Sequence, residues 1–141
     1  MSLHPARTLP LKREASPASP RSRRGSQADQ RGRDAEQAAV AALERNGWTI
    51  LARRLRTGAG EIDLVAATPH LLAIVEVKAR ARLADAAAAI RPAQRSRLLD
   101  AAEAALAAHP DWAEGRSIRF DAILVDARGA VRRISDVLRR E

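Results

Sequence analysis

Before Gly32 the apolar positions of the chain follow no period; from Gly32 onward they do. Asp34 to Asn46 is free of Gly and Pro and rich in Ala and Glu, which predicts a helix, and Gly47 supplies its C-terminal stop. Trp48, Ile50 and Ala52 alternate with their neighbours and predict a strand over 48–56. Thr57-Gly58-Ala59-Gly60 predicts a turn, 61–67 a second strand, and Thr68-Pro69-His70 another turn. A third strand, 71–80, is apolar enough to belong in the middle of a sheet. Residues 81–91 are expected as a loop or a short Ala-rich turn of helix. Pro92 suits the first turn of a helix reaching Ala108, with Leu98, Leu99, Ala102, Ala105 and Leu106 as its buried stripe. Residues 117–125 read as a fourth strand and 131–134 as a weaker fifth, with Ser135 capping a short last helix over 136–140. The order α-β-β-β-α-β, with weaker elements after it, predicts an α/β fold: a mixed β-sheet flanked by helices.

Residues 1–31 differ in kind. Four of the seven Pro and five of the eight Ser fall there, with seven basic residues against Glu14 and Asp29. So little can be buried that a disordered basic tail is expected, ahead of a folded domain over 32–141. A transit peptide is a weaker interpretation, because the prolines would break an amphipathic helix; a start codon assigned too far upstream is another.

A chain of 141 residues is one domain's worth. Of its apolar residues 32 are Ala and 33 are larger, so the core is small, yet sufficient for a body of this size. The absence of Cys excludes disulfides, thiolate metal sites and a Cys nucleophile, and fits a reducing, cytoplasmic location. No apolar run approaches the ~18 residues of a membrane span, and no apolar h-region stands near the N-terminus, so no membrane partner is expected. The net charge of +8 points to a polyanionic partner, nucleic acid above all. A coding bias toward Arg and Ala would also raise it, since 23 Arg stand against two Lys. Most of the surplus lies in the tail: residues 32–141 carry 18 basic and 15 acidic groups.

Lys78 is the one Lys in that body. Lys is a compact charge whose pKa moves on desolvation, which Arg cannot match. Period two puts Lys78 and Glu76 on one face of the third strand, with Val75 and Val77 on the other. A hairpin would bring Asp63 close to Glu76, and the alternation of Ile62 and Leu64 with Asp63 turns its carboxylate away from that apolar pair. Two carboxylates and a Lys converging on one face are each costly to bury alone. A hard divalent cation would satisfy them, polarise a phosphate and help generate hydroxide. Glu36 shares a helix face with Val40 and Leu43 and is a further candidate for a metal or its water. Gln94, in the first turn of the later helix, could contact the attacking water or a phosphate. Each has a plainer explanation. Asp63 and Lys78 could form a structural ion pair, Glu36 could answer a helix dipole, and Gln94 could be a solvated surface residue. Asp121 is expected to be structural, paired with Arg119 or a neighbour, and Trp48 and Phe120 to be core. His4, His70 and His109 show no metal spacing.

Five segments then carry a resemblance: Gly32-Arg33-Asp34-Ala35-Glu36, Gly47-Trp48-Thr49-Ile50-Leu51, Gly60-Glu61-Ile62-Asp63-Leu64, Val75-Glu76-Val77-Lys78-Ala79-Arg80 and Arg119-Phe120-Asp121. From about Gly32 to Val137 the chain resembles the YraN-type bacterial proteins, a family of predicted endonucleases of the restriction-endonuclease-like, Holliday-junction-resolvase-like superfamily. The resemblance implies a restriction-endonuclease-like core. It puts Asp63, Glu76 and Lys78 on the superfamily's acidic, acidic and lysine positions, and Glu36 on its helical acidic position. Arg54 departs from the Asn usual in the family, and Ala93 from a basic residue.

The expectation is a Mg²⁺- or Mn²⁺-dependent nuclease hydrolysing phosphodiester bonds in DNA, branched DNA among the candidates and RNA less favoured. Asp63, Glu76 and the Val77 carbonyl would hold the metal with support from Glu36, and Lys78 would position the water. Arg80, Arg82, Arg95 and Arg97 would meet the phosphate backbone. Resolvase-like relatives suggest a homodimer. The alternatives are a non-catalytic nucleic-acid-binding module with the same fold, and a partner-binding protein with a vestigial site.

Overall fold

The computed structural model describes residues 20–80 and 91–138, except for the side chains of residues 20–26 and 28. Its elements are α1 (Pro20–Arg45), β1 (Thr49–Thr57), β2 (Gly60–Ala67), β3 (Leu71–Ala79), α2 (Pro92–Ala108), a 3₁₀ turn (Pro110–Ala113), β4 (Ser117–Val125) and β5 (Val131–Ile134). The five strands form one mixed sheet in the order β1-β2-β3-β4-β5. β1, β2 and β3 form an antiparallel meander. β3 and β4 run parallel, and β5 returns antiparallel. A parallel pair needs a crossover, and α2 lies on it.

Each sheet face has its own core. Ala35, Ala39, Val40 and Leu43 of α1 pack with Trp48 on Leu64, Ala66, Ala73, Val75, Ile123 and Val125. Leu98, Ala101, Ala102 and Ala105 of α2 pack on Ile62, Val65, Ala67, Leu72 and Ile74. β3 is the third of five strands, and Leu72 to Val75 are fully buried, as its continuous apolar run predicts. Trp48 is 8% exposed, with the guanidiniums of Arg119 and Arg133 at 5.8 and 5.6 Å from its ring centre. Phe120 is half-buried against the α2 core.

Three expectations need correction. α1 begins at Pro20 instead of Asp34, so residues 20–31, read as tail, belong to the helix. Pro is tolerated in a first helical turn, and once a nucleus exists each further polar residue costs little to add. Residues 1–19 lie outside the described residues. In α2, Leu99 is 48% exposed and Ala101 takes its place in the stripe. Leu98, Ala101, Ala102 and Ala105 follow the i, i+3, i+4, i+7 spacing, and Leu99 sits one residue, about 100°, off that line. Residues 135–138 form turns in place of the expected helix start, and 139–140 lie outside the described residues. Val137 N–H donates to the Phe120 carbonyl, so this segment is tied to β4. The expected loop at 81–90 also lies outside the described residues. Among the described residues no helix is long and apolar enough to cross a membrane.

Candidate active site at the fork between two strands

The pairing of β2 with β3 runs from Ala67↔Leu72 to Leu64↔Val75 and stops there. β2 continues beside β1 to Gly60, and β3 beside β4 to Ala79. The two strands therefore part at Asp63 and Glu76. Asp63 spans the opening: its Oδ2 accepts the Val77 N–H at 2.8 Å, so a side chain serves a donor where the strand pairing has ended. Burial pushes the Asp63 carboxyl up to about 6, with Glu76 adding to the rise; the Val77 N–H opposes it, while Glu36 and Glu61 raise it further.

Around the fork strict alternation fails. Leu64 lies in the α1 core and Ile62 in the α2 core, so the two do not share a face as their spacing predicts. The irregularity has a counterpart in β1, where the register slips between Ile50 and Ala52 and Arg54 takes a left-handed φ of 49°. On β3 the period holds. Ala73, Val75 and Val77 belong to the α1 side; Leu72 and Ile74 belong to the α2 side, and Glu76 and Lys78 follow them at period two.

Two clefts open from the fork. One, of about 470 Å³, runs under α1 and is lined by Glu36, Arg33, Arg54, Glu61, Asp63 and Val77 among others. The other, about 140 Å³, lies on the α2 side and is lined by Gly60, Glu61, Glu76, Gln94, Arg97 and Leu98. Glu61 borders both. Asp63 thus shares a cleft with Glu36, while Glu76 shares one with Gln94. Among the described residues no three His, Cys, Asp or Glu side chains form a metal-holding group by themselves. The acids still sense one another, as the Asp63 carboxyl shows.

Lys78 pairs with Glu76 at 3.2 Å, not with Asp63, and its side chain is 14% exposed. Glu36 is 8% exposed and far from the start of α1, so the helix dipole does not account for it. Its partners are Arg53 Nη2 at 3.4 Å and Arg54 Nε at 3.2 Å. Gln94 is half-buried, and its Oε1 accepts the Arg91 N–H at 3.1 Å, closing the first turn of α2. Arg97 lines the α2 cleft beside it. Arg95 Nη2 instead donates to the Leu138 carbonyl at 3.1 Å, and Arg80 Nη1 to the Ala79 carbonyl at 2.9 Å. Arg82 lies outside the described residues.

Asp121 is fully buried and structural, as expected. It accepts two bonds from Arg119, at 2.9 and 3.0 Å, and one from the Asp136 N–H at 2.9 Å. His109 stacks on Trp112 with ring centres 4.0 Å apart, His70 is exposed, and His4 lies outside the described residues. Sequence reasoning overlooked Glu61 as a cleft residue and Arg53 as a partner of Glu36, and treated Arg54 only as a departure. A Glu next to a hairpin glycine gave one available signal; the doubled Arg gave none, because its aim depends on the β1 bulge.

Residues 35–125 match the profile of the uncharacterised protein family UPF0102. A UPF0102 protein from Granulibacter bethesdensis is 53% identical over 116 residues, covering 82% of this chain and 73% of its own length. One from Bradyrhizobium sp. strain ORS 278 is 54% identical over 103 residues, 73% of this chain and 72% of its own. One from Rhodopseudomonas palustris strain BisB18 is 52% identical over 103 residues, 73% of this chain and 76% of its own.

Proposed function

The chain belongs to the UPF0102 family, and from that premise and the fork we propose that it is a divalent-metal-dependent nuclease acting on DNA. The observation that carries this reading is the electrostatics at the parted strands. Burial first, and then the charges of Glu76, Glu36 and Glu61, raise the Asp63 carboxyl to about 6, and a hard cation beside it would offset both the burial and the negative charge. The donors fit such a cation: they are carboxylate oxygens, and Mg²⁺ is commonly held by one or two carboxylates with waters completing the shell. Asp63 and Glu76 would hold it, with the Val77 carbonyl as a further oxygen. When bound, the metal supplies Lewis acidity toward the scissile phosphate and lowers the pKa of a water.

The chain's own residues do the rest. The Val77 N–H fixes the Asp63 carboxylate. Lys78, on Glu76, keeps an ammonium at the fork where charge builds on a phosphate or a water loses its proton. Gln94 and Arg97 border the cleft of Glu76 from α2 and would orient a phosphate there. The ion pairs of Lys78 with Glu76 and of Glu36 with Arg53 and Arg54 also suit one rival, a nucleic-acid-binding module in which these charges form a structural network and do not cleave.

The test uses labelled single-stranded, duplex, flap and four-way-junction DNA with Mg²⁺, Mn²⁺ or EDTA, and Asp63→Asn and Lys78→Ala beside the wild type. Metal-dependent cleavage that drops at least a hundredfold in both variants is expected. DNA retention without cleavage, unchanged by both substitutions, would transfer the protein to the rival.

A further inference from the structure

Arg53 and Arg54 are consecutive residues of one strand, yet both reach Glu36. In a flat strand neighbouring side chains point to opposite faces. Here the left-handed backbone of Arg54, at a φ of 49°, swings it to the α1 side. Gly enters that region freely and Asn more readily than most; a long side chain is rarely found there. A residue kept in such a conformation points to a use for its side chain.

The two guanidiniums engage Glu36 differently. Arg53 uses its tip: Nη2 donates to Glu36 at 3.4 Å and to Gln37 at 3.3 Å. Arg54 uses its inner nitrogen: Nε lies 3.2 Å from both Glu36 oxygens. Among the described residues neither Nη of Arg54 makes a hydrogen bond. Glu36 balances only one of the two cations, so the trio carries one surplus positive charge, and all three line a cleft along α1 together with Gln30, Arg33 and Gln37. The Arg54 side chain is 48% exposed, so that end is open to solvent.

We propose that Arg54 is a phosphate-contacting residue, with Nε anchored by Glu36 and both Nη groups presented to a nucleic-acid phosphate at this arginine-lined cleft. A guanidinium suits this because its donors form a planar fork with two usable edges, one for the carboxylate and one for the phosphate. Glu36 then acts as a positioning residue for Arg54. The inference rests on the nucleic-acid part of the proposed function and not on cleavage.

The experiment measures anisotropy of a fluorescein-labelled DNA duplex against the full chain in EDTA over a series of KCl concentrations. Variants are Arg54→Asn, which suits the backbone, and Arg54→Lys, whose single ammonium Glu36 would occupy. Each is expected to bind roughly tenfold more weakly at low salt, with the slope of log K against log [KCl] reduced by about 0.9, one phosphate contact. Melting curves for both variants separate loss of contact from loss of fold, and Arg54→Asn is expected to melt no lower than the wild type. An unchanged affinity and slope in folded Arg54→Asn, full retention by Arg54→Lys, or no salt-dependent binding by the wild type would each overturn the assignment. The same loss of slope in a protein that never cleaves would keep it and remove only the catalytic reading.

Discussion

At the scale of single residues, Asp63 is where folding and chemistry pull in opposite directions. Its carboxyl moves from 3.8 to about 6 on folding. Between those values the folded state holds a proton that the unfolded state has released, so stability falls as pH rises through this window, and above about 6 the whole cost is present. Asp63→Asn removes the charge and keeps an acceptor for the Val77 N–H. It should stabilise the metal-free protein at pH 7 by on the order of 2 kcal/mol, less than the full linkage value because the carboxylate is partly solvated. The gain should vanish near pH 4. Urea unfolding of both proteins at the two pH values checks this, and an equal gain at both would sink the electrostatic explanation. The candidates Asp63, Glu76, Lys78 and Glu36 were legible because buried charge among apolar neighbours is costly and asks for a reason. Their partners were not. Lys78 chose Glu76 and Glu36 chose two arginines, which depends on where strands bend.

At the scale of elements, the boundaries followed local chemistry where a glycine or proline set them. α2 and β4 begin and end where the sequence predicts. α1 ends at Arg45, ahead of Gly47, which has a φ of +87° and open space where a Cβ would stand. Gly47→Ala should therefore cost about 1 kcal/mol by backbone strain alone, without a packing term. A shift in urea midpoint with an unchanged m-value would check it, and a change in m would point to altered packing instead. The start of α1 was not legible, because polar residues of fair helix propensity give no periodic signal. The buried stripe of α2 was read one residue too generously at Leu99, since an Ala-rich helix lets small residues make the close contact.

At the scale of the whole molecule, one sheet serves two cores. β3 supplies both, with Val75 under α1 and Ile74 under α2. Both are fully buried, and Ile74→Ala should cost about 3 kcal/mol by transfer and cavity terms together. Equilibrium unfolding measures it; a loss under about 1 kcal/mol would mean that the α2 layer collapses onto the gap. The sequence by itself determined the α/β class, the strand order along the chain and the central place of β3, because hydrophobic period and turn residues act locally. It also supplied the residues of the family match. Only the tertiary structure decided that β2 and β3 part after Leu64 and Val75, that Asp63 and Glu76 open into separate clefts, and that Arg54 reaches Glu36. Those outcomes rest on bulges and on a pairing that stops, and strand register is fixed by contacts between segments far apart in the chain.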